Sequence, residues 1–265
     1  MRADVYLAQN GHISSRTLAR KLIADGAVTV DGRVLKKPSE DISEGDHRIA
    51  VSATPDTRFV GRGGLKLEGA LEAFGICPVG LVLADIGAST GGFTDCLLQK
   101  GAAAVFAVDA GHGQLHPRLL ADPRVRSAEG MNARVLTPRE LLAVEAAWKA
   151  AHPDAPSIPF EGLVDGLVMD VSFISQTLLH PALFSVLKEG GWMVTLIKPQ
   201  FELTKSALNK QGIVKQEKDR KAAVDRVLQS AAACGFEAVS VIPSPIAGGD
   251  GNRELLAYFI KKTNT

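Results

Sequence analysis

Apolar positions along this chain follow two regimes. Over the first 50 residues they are few and closely spaced. Val5 and Leu7, then Leu18, Leu22 and Ile23, predict two short helices, the second beginning at Ser14 or Ser15, either of which can cap it. Gly26 to Val34 alternates as a strand, an Asp31-Gly32 turn and a second strand, and Asp-Gly is a strong two-residue hairpin signal. Ile42 to Val51, beyond Pro38, reads as a further strand, and residues 52–60 as a linker. After residue 60 the runs become continuous and strand-length. Strands are expected at 81–87, 103–108, 125–128, 163–171, 191–197, 236–243 and 254–260, with helices at 92–101, 174–187 and 218–234. The Ala- and Pro-containing run 146–159 reads as a helix end and a surface loop.

Continuous apolar strands separated by helices belong to a mainly parallel, doubly wound α/β sheet. The expected organisation is a small α+β domain with its linker at 1–60 and an α/β domain at 61–265. In such sheets ligands sit beyond the carboxyl ends of the strands. Asp85 to Gly87, Asp109, Asp170 and Lys198 all fall at those ends, which makes them the first candidates for a site.

Composition narrows the picture. The chain has 265 residues, 46% hydrophobic and 22% charged, which excludes a disordered or low-complexity protein. Lys plus Arg total 30 against 29 acids, so no polycationic tail is present, although a local basic face is not excluded. Cys77, Cys96 and Cys234 are odd in number and far apart. They support neither a disulfide framework nor a metal site, and read as buried thiols in a reducing compartment. The N-terminus lacks the apolar core of a secretory signal and no apolar run reaches bilayer length. The expectation is a cytoplasmic protein that does not engage a membrane; its oligomeric state is not encoded in any visible pattern.

Candidate chemistry concentrates in three places. The first is the run Asp85-Ile86-Gly87-Ala88-Ser89-Thr90-Gly91-Gly92-Phe93, whose glycines allow a tight turn and close approach by a ligand. It has neither the G-x-G-x-x-G of dinucleotide folds nor the G-K-S/T of a phosphate loop. Asp109, 22 residues beyond Gly87, stands where an acid can accept both ribose hydroxyls of an adenosine ligand. The second is a set of four charges, Lys66, Asp170, Lys198 and Glu254. Burying them costs free energy unless they pair, and two cations with two acids balance in sign. Four unrelated surface charges is the competing reading. The third is a basic stripe of Arg16, Arg20 and Lys21 on the second helix, for which a solvated helix face is the plain alternative. His112 has no triad partner and reads as a surface or cleft histidine.

Two resemblances unify these features. Arg2-x-Asp4-x-x-Leu7, Ser15-Arg16-x-x-Ala19-Arg20-x-x-Ile23 and Gly26-x-Val28-x-Val30-Asp31-Gly32 resemble the S-four RNA-binding domain. That implies docking on structured RNA through Arg2, Arg16, Arg20 and Lys21, with phosphate contacts supplying most of the affinity. The loop at 85–93 resembles the S-adenosylmethionine loop of class I methyltransferases. Gly63-Gly64-Leu65-Lys66-Leu67, Asp170-Val171-Ser172-Phe173-Ile174-Ser175 and Ile197-Lys198-Pro199-Gln200-Phe201-Glu202 together look like the TlyA family. These are ribosomal RNA 2′-O-methyltransferases related to FtsJ, historically labelled hemolysins. The resemblance implies a class I methyltransferase fold with Lys66, Asp170, Lys198 and Glu254 catalytic. It also implies S-adenosyl-L-methionine contacts from Asp85 to Phe93, Asp109, Met131, Asn132 and Asp170, and ribosomal RNA or ribosomal subunits as partner. Asp170-Val171-Ser172-Phe173, in place of Asn-Pro-Pro-Tyr, favours oxygen over an exocyclic amine as acceptor. Lys198 serves either as base or as a cation that orients the hydroxyl. The alternatives are a non-catalytic RNA-binding assembly factor and a membrane-active hemolysin.

Overall fold

The structure is a computed structural model that describes all residues except 14, 44, 46, 53–57, 156–157, 247–250 and 264–265. The chain divides into two compact units, Met1–Arg58 and Phe59–Thr265.

The first unit pairs α1 (Ala3–Gln9) and α2 (Arg16–Ala24) over a three-stranded sheet of β1 (Val28–Val30), β2 (Arg33–Val34) and β3 (Ile49–Val51), in the order β2-β1-β3. Ser15 caps α2, its side chain accepting from the Leu18 amide; Ser14, the other cap candidate, lies outside the described residues. Asp31 and Gly32 both take positive φ, 51° and 83°, the geometry of a tight turn whose twist matches its strands. Leu7, Leu22, Ile23, Val28 and Leu35 form the core. The strand expected over 42–51 is shorter. Ile42 is buried and its amide is held by the Met1 carbonyl, and pairing with β1 begins only at Ile49. The expected linker is also shorter. Residues 53–57 lie outside the described residues, but Phe59 is buried in the second unit and the Val60 amide donates to Asp95.

The second unit runs α3 (Gly63–Phe74), β4 (Val82–Ile86), α4 (Gly92–Gln99), β5 (Ala104–Asp109), α5 (Pro117–Leu120), β6 (Val125–Glu129), α6 (Pro138–Ala151), β7 (Val164–Met169), α7 (His180–Val186), β8 (Leu187–Ile197), α8 (Pro199–Glu202), α9 (Glu217–Ala233), β9 (Phe236–Pro243) and β10 (Leu255–Lys261). The sheet order is β6-β5-β4-β7-β8-β10-β9. Strands from β6 to β8 pair in parallel, and β10 is antiparallel to both its neighbours. Side chains alternate across the sheet. Val82, Ala84 and Ile86 enter one core and Leu83 the other, which is why these strands read as unbroken apolar runs. The chain winds from β4 outward to β6, then returns to β7 on the other side of β4, and the crevice of a doubly wound sheet opens at that reversal.

Two expectations are corrected here. The helix expected over 174–187 starts only at His180, after a 3-10 turn at Gln176–Leu178. Pro181 occupies the first turn, where its missing N–H is tolerated, and its ring blocks helix through the preceding turn. Cys96 is buried as expected, but Cys77 is exposed and Cys234 half-buried. Among the described residues no helix is long and apolar enough to cross a membrane.

The first unit hinges on Asp4. It is fully buried on α1, accepting from Arg2 Nε at 3.0 Å and from Arg16 Nε at 2.8 Å. The hydrogen bond from Arg2 leads, with that from Arg16, in holding its carboxyl at about 2. Because the folded state lowers this pKa, the stabilisation is complete above the ordinary carboxylate value and lost as pH falls toward 2. Protection factors of the α1 amides are expected to drop between about pH 4 and 2. Asp4→Asn is expected to lower protection at neutral pH by about 1–3 kcal/mol and flatten that dependence.

Candidate functional site

Four neighbouring strands end in a row. Parallel pairing sets Ile86 beside Met169 and Met169 beside Thr195, and antiparallel pairing sets Leu255 beside Ile197. One step beyond Ile86 and Met169 lie Gly87 and Asp170, and one step beyond the Ile197–Leu255 pairing lie Lys198 and Glu254. Because β10 runs backwards, its beginning lies where the other strands finish, so an acid at position 254 reaches a site made of carboxyl-terminal ends.

The glycine loop after β4 is shaped by its hydrogen bonds. Asp109, ending β5, accepts from the Ser89 amide on one oxygen and from the Gly111 amide on the other, both at 2.7 Å. Gly87 sits at φ 81°, and a Cβ there would lie 2.8 Å from the Asp170 carbonyl oxygen, so only glycine fits. A cavity of about 430 Å³ opens here, walled by Gly87, Ser89, Asp109, Met131, Asn132 and Asp170. Ile86, Val108, Ala133 and Leu179 add apolar surface to it. A second cavity of about 200 Å³ shares Gly87, Ser89, Asp170 and Ser172 with the first and adds Ala88, Thr90, Gly92, Phe93 and Lys198.

Two members of the expected loop set line neither cavity. Gly91 packs against Leu119. Asp85 lies beneath the loop, fully buried, its Oδ2 accepting from both the amide and the hydroxyl of Thr94. Its Oδ1 is buried without a hydrogen-bond partner. Burial pushes this carboxyl up to about 7 against the Thr94 hydrogen bonds, and the charge of Asp170 adds to the rise. His112 is exposed and lines neither cavity.

The four candidate charges meet as two ion pairs. Lys198 Nζ is 2.7 Å from Asp170 Oδ1, and Lys66 Nζ is 2.5 Å from Glu254 Oε2. Lys66 and Glu254 are only 8% and 7% exposed, so each depends on the other for its charge. Helix α3 carries Lys66 to the row. Gly63, three residues earlier, approaches so closely that a Cβ on it would lie 3.8 Å from Asp170 Oδ2. Helical side chains lean toward their N-terminus, so Lys66 reaches back along the same face. The reading of four unrelated surface charges does not hold.

Sequence reasoning missed three neighbours. Ser172 accepts a 2.7 Å hydrogen bond from Lys198. Phe173 is 92% exposed, at φ 64°, and its ring lies 5.2 Å from that of Phe201. A bulky residue in that conformation costs about 1–3 kcal/mol and is typical of functional loops. Arg62, exposed, lines the smaller cavity just before α3. None has a spacing signal in one sequence; only exposure and backbone angle reveal them.

In the first unit Arg2, Arg16, Arg20 and Lys21 are all exposed. Arg2 and Arg16 also clamp Asp4, so they are structural as well as cationic.

Comparison with known proteins gives a consistent set. Residues 59–261 match the model of FtsJ-like methyltransferases, and residues 1–47 match that of the S4 domain. The chain is 38% identical over 263 residues to the 16S/23S rRNA (cytidine-2′-O)-methyltransferase TlyA of Mycobacterium tuberculosis, covering 99% of this chain and 91% of that protein. It is 38% identical over 260 residues to Hemolysin A of Brachyspira hyodysenteriae, covering 98% and 100% respectively. A solved structure described as a hemolysin from Streptococcus thermophilus superposes with TM-score 0.73 at 37% identity, covering all of this chain and 89% of that one.

The Lys66–Glu254 pair generates a sharp stability prediction. Removing one partner, as in Lys66→Met, is expected to cost about 3–5 kcal/mol by leaving a buried charge alone. The double variant Lys66→Met with Glu254→Leu is expected to recover most of that loss. Denaturant unfolding of the three proteins measures it; additive losses would show that the two side chains do not depend on one another.

Proposed function

Since this chain belongs to the FtsJ-like methyltransferase family and begins with an S4 domain, we propose that it transfers a methyl group from S-adenosylmethionine to a ribose 2′-hydroxyl of ribosomal RNA. The observation that carries this reading is the pairing of Lys198 with Asp170 at two strand ends that line the glycine-loop cavities. The activity in the name of the mycobacterial relative supports the choice of substrate.

The residues present fit the cofactor. The cavity has the volume of a small-molecule site. Met131, Val108 and Leu179 offer an apolar wall for an adenine ring. Asp109 keeps its oxygens fixed by two amides with lone pairs to spare for ribose hydroxyls. Asp170 lines both cavities and brings a carboxylate to them, a setting that favours a cationic ligand. When bound, the cofactor supplies an electrophilic methyl carbon on sulfur.

The chain's own residues supply position and charge. A ribose hydroxyl is a weak nucleophile, so holding it in line provides much of the acceleration. Lys198, ion-paired with Asp170 and donating to Ser172, presents an ammonium group. Paired with the Asp170 carboxylate, it acts as the donor that orients the hydroxyl oxygen and steadies the charge developing on it. Lys66 and Glu254 line neither cavity; Glu254 stands one residue before Leu255, which pairs with Ile197 just ahead of Lys198. Phe173 presents an aromatic face at the mouth, a surface on which an unpaired base stacks. In the first unit, Arg20 and Lys21, with the guanidinium N–H groups of Arg2 and Arg16 that Asp4 does not take, contact RNA phosphates.

Lys198→Ala is expected to lower kcat at least about 100-fold for transfer of labelled methyl groups to ribosomal subunits. Calorimetry should find cofactor affinity nearly unchanged in that variant. Lys198→Arg, which keeps the donor, should retain more activity than Lys198→Ala; equal loss in both would return Lys198 to the role of base. Asp109→Ala is expected to weaken cofactor binding by about 10- to 100-fold.

RNA binding is best probed through Arg20→Ala with Lys21→Ala, because Arg16→Ala also disturbs Asp4. The pair should weaken binding to ribosomal RNA and reduce the log–log salt slope by about two. An unchanged slope would remove these residues from the phosphate contacts.

A further inference from the structure

Two segments frame the site, Asp170 to Ser175 after β7 and Lys198 to Glu202 after β8. Each ends in a polar residue that lines neither cavity, and those two residues bond to each other. Glu202 is 3% exposed, and its Oε2 accepts from Ser175 Oγ at 2.5 Å while its Oε1 accepts from the Gln176 amide at 2.9 Å. Among the described residues no cation pairs with this carboxylate. Gln176, also buried, ties the same segment to β8 itself. Its side-chain oxygen accepts from the hydroxyl of Thr195, three residues before Lys198.

Residues 170–176 thus form an arch. One foot rests on β4, where the Asp170 amide donates to the Ile86 carbonyl at 3.0 Å. The other foot rests on Glu202 and Thr195. Lys198 reaches into the arch to Asp170 and Ser172, and Phe173 takes its left-handed conformation within it. Helix α8, which carries Glu202, is held from behind, since Arg226 donates to the Glu202 carbonyl at 3.0 Å. Burying a carboxylate without a cation costs free energy that only its hydrogen bonds offset. An apolar side chain would fill this space at lower cost. What the carboxylate adds is two acceptors aimed at two successive residues of the other segment.

We propose that Glu202 is a positioning residue: a buried carboxylate clasp that holds the arch after β7 in register with the end of β8, and so sets Asp170 against Lys198. The proposal rests on the methyltransferase reading above. It touches neither cofactor nor RNA and acts only through the residues it aligns.

The test uses the full chain with Glu202→Ala, Glu202→Gln, Ser175→Ala and the Glu202→Ala, Ser175→Ala double variant, assayed for methyl transfer to ribosomal subunits. Glu202→Ala is expected to lower kcat by about 10- to 100-fold, the scale of a misplacement near 1 Å, with the KM for S-adenosylmethionine within about threefold of wild type. Glu202→Gln keeps an acceptor for the Gln176 amide and gains an amide donor for Ser175 Oγ, and should recover most of the loss. Ser175→Ala should add little to Glu202→Ala, because both cut one contact. The clasp is overturned by a wild-type kcat in Glu202→Ala, by a loss confined to KM, by losses that multiply in the double variant, or by Glu202→Gln no better than alanine. Should Glu202→Ala fail to fold, Ser175→Ala alone decides: a lower kcat at constant KM supports the clasp and wild-type kcat overturns it. A wild-type protein that methylates no ribosomal RNA sinks the functional reading instead. Amide exchange at Gln176 then still judges the clasp: protection lost in Glu202→Ala and kept in Glu202→Gln supports it, and protection kept in both overturns it.

Discussion

The reversal of one strand governs the chemistry of the larger unit. Five parallel strands bring carboxyl-terminal ends to one rim, but the last acid of the charged set lies at the beginning of a strand. Only an antiparallel β10, seated against β8 with Leu255 beside Ile197, delivers Glu254 to that rim. With Glu254 there, Lys66 can be buried on α3; without it, an ammonium group 8% exposed would lack its partner.

The same economy of charge appears twice more. Asp4 gathers Arg2 and Arg16 into one clamp in the first unit, so side chains that face solvent also lock two helices together. Glu202 does the equivalent work with uncharged partners, through a hydroxyl and an amide. In each case a buried carboxylate is satisfied at least in part by a group from another element, Arg16 for Asp4 and Ser175 and Gln176 for Glu202, so it ties two segments together. Asp85 is the contrasting case: one oxygen is used and one is not, and burial raises its pKa toward 7.

Most of the secondary structure was legible because its causes are local. The positions of β4, β5 and α9 follow from apolar runs and periodicity, and the turn at Asp31-Gly32 from the φ values those residues tolerate. The errors were local as well. Pro181 cut short a helix that hydrophobic spacing extended through it, and the stretch from Ile42 pairs with β1 only from Ile49. Lys66, Asp170, Lys198 and Glu254 were legible as candidates through motif resemblance; their partition into two pairs was not. Ser172, Phe173 and Arg62 left no trace in spacing, because exposure and backbone angle belong to the folded chain.

The sequence by itself determined which segments become strands and helices, the two-part organisation, and the residue types available for a site, since propensity, periodicity and turn chemistry act over a few residues. The tertiary structure alone decided which lysine faces which acid, which oxygen of Asp85 stays unused, and that Glu202 clasps Ser175 and Gln176. Those contacts join residues from 26 to 188 positions apart, and a strand's partner and direction in the sheet are settled by packing the whole core at once.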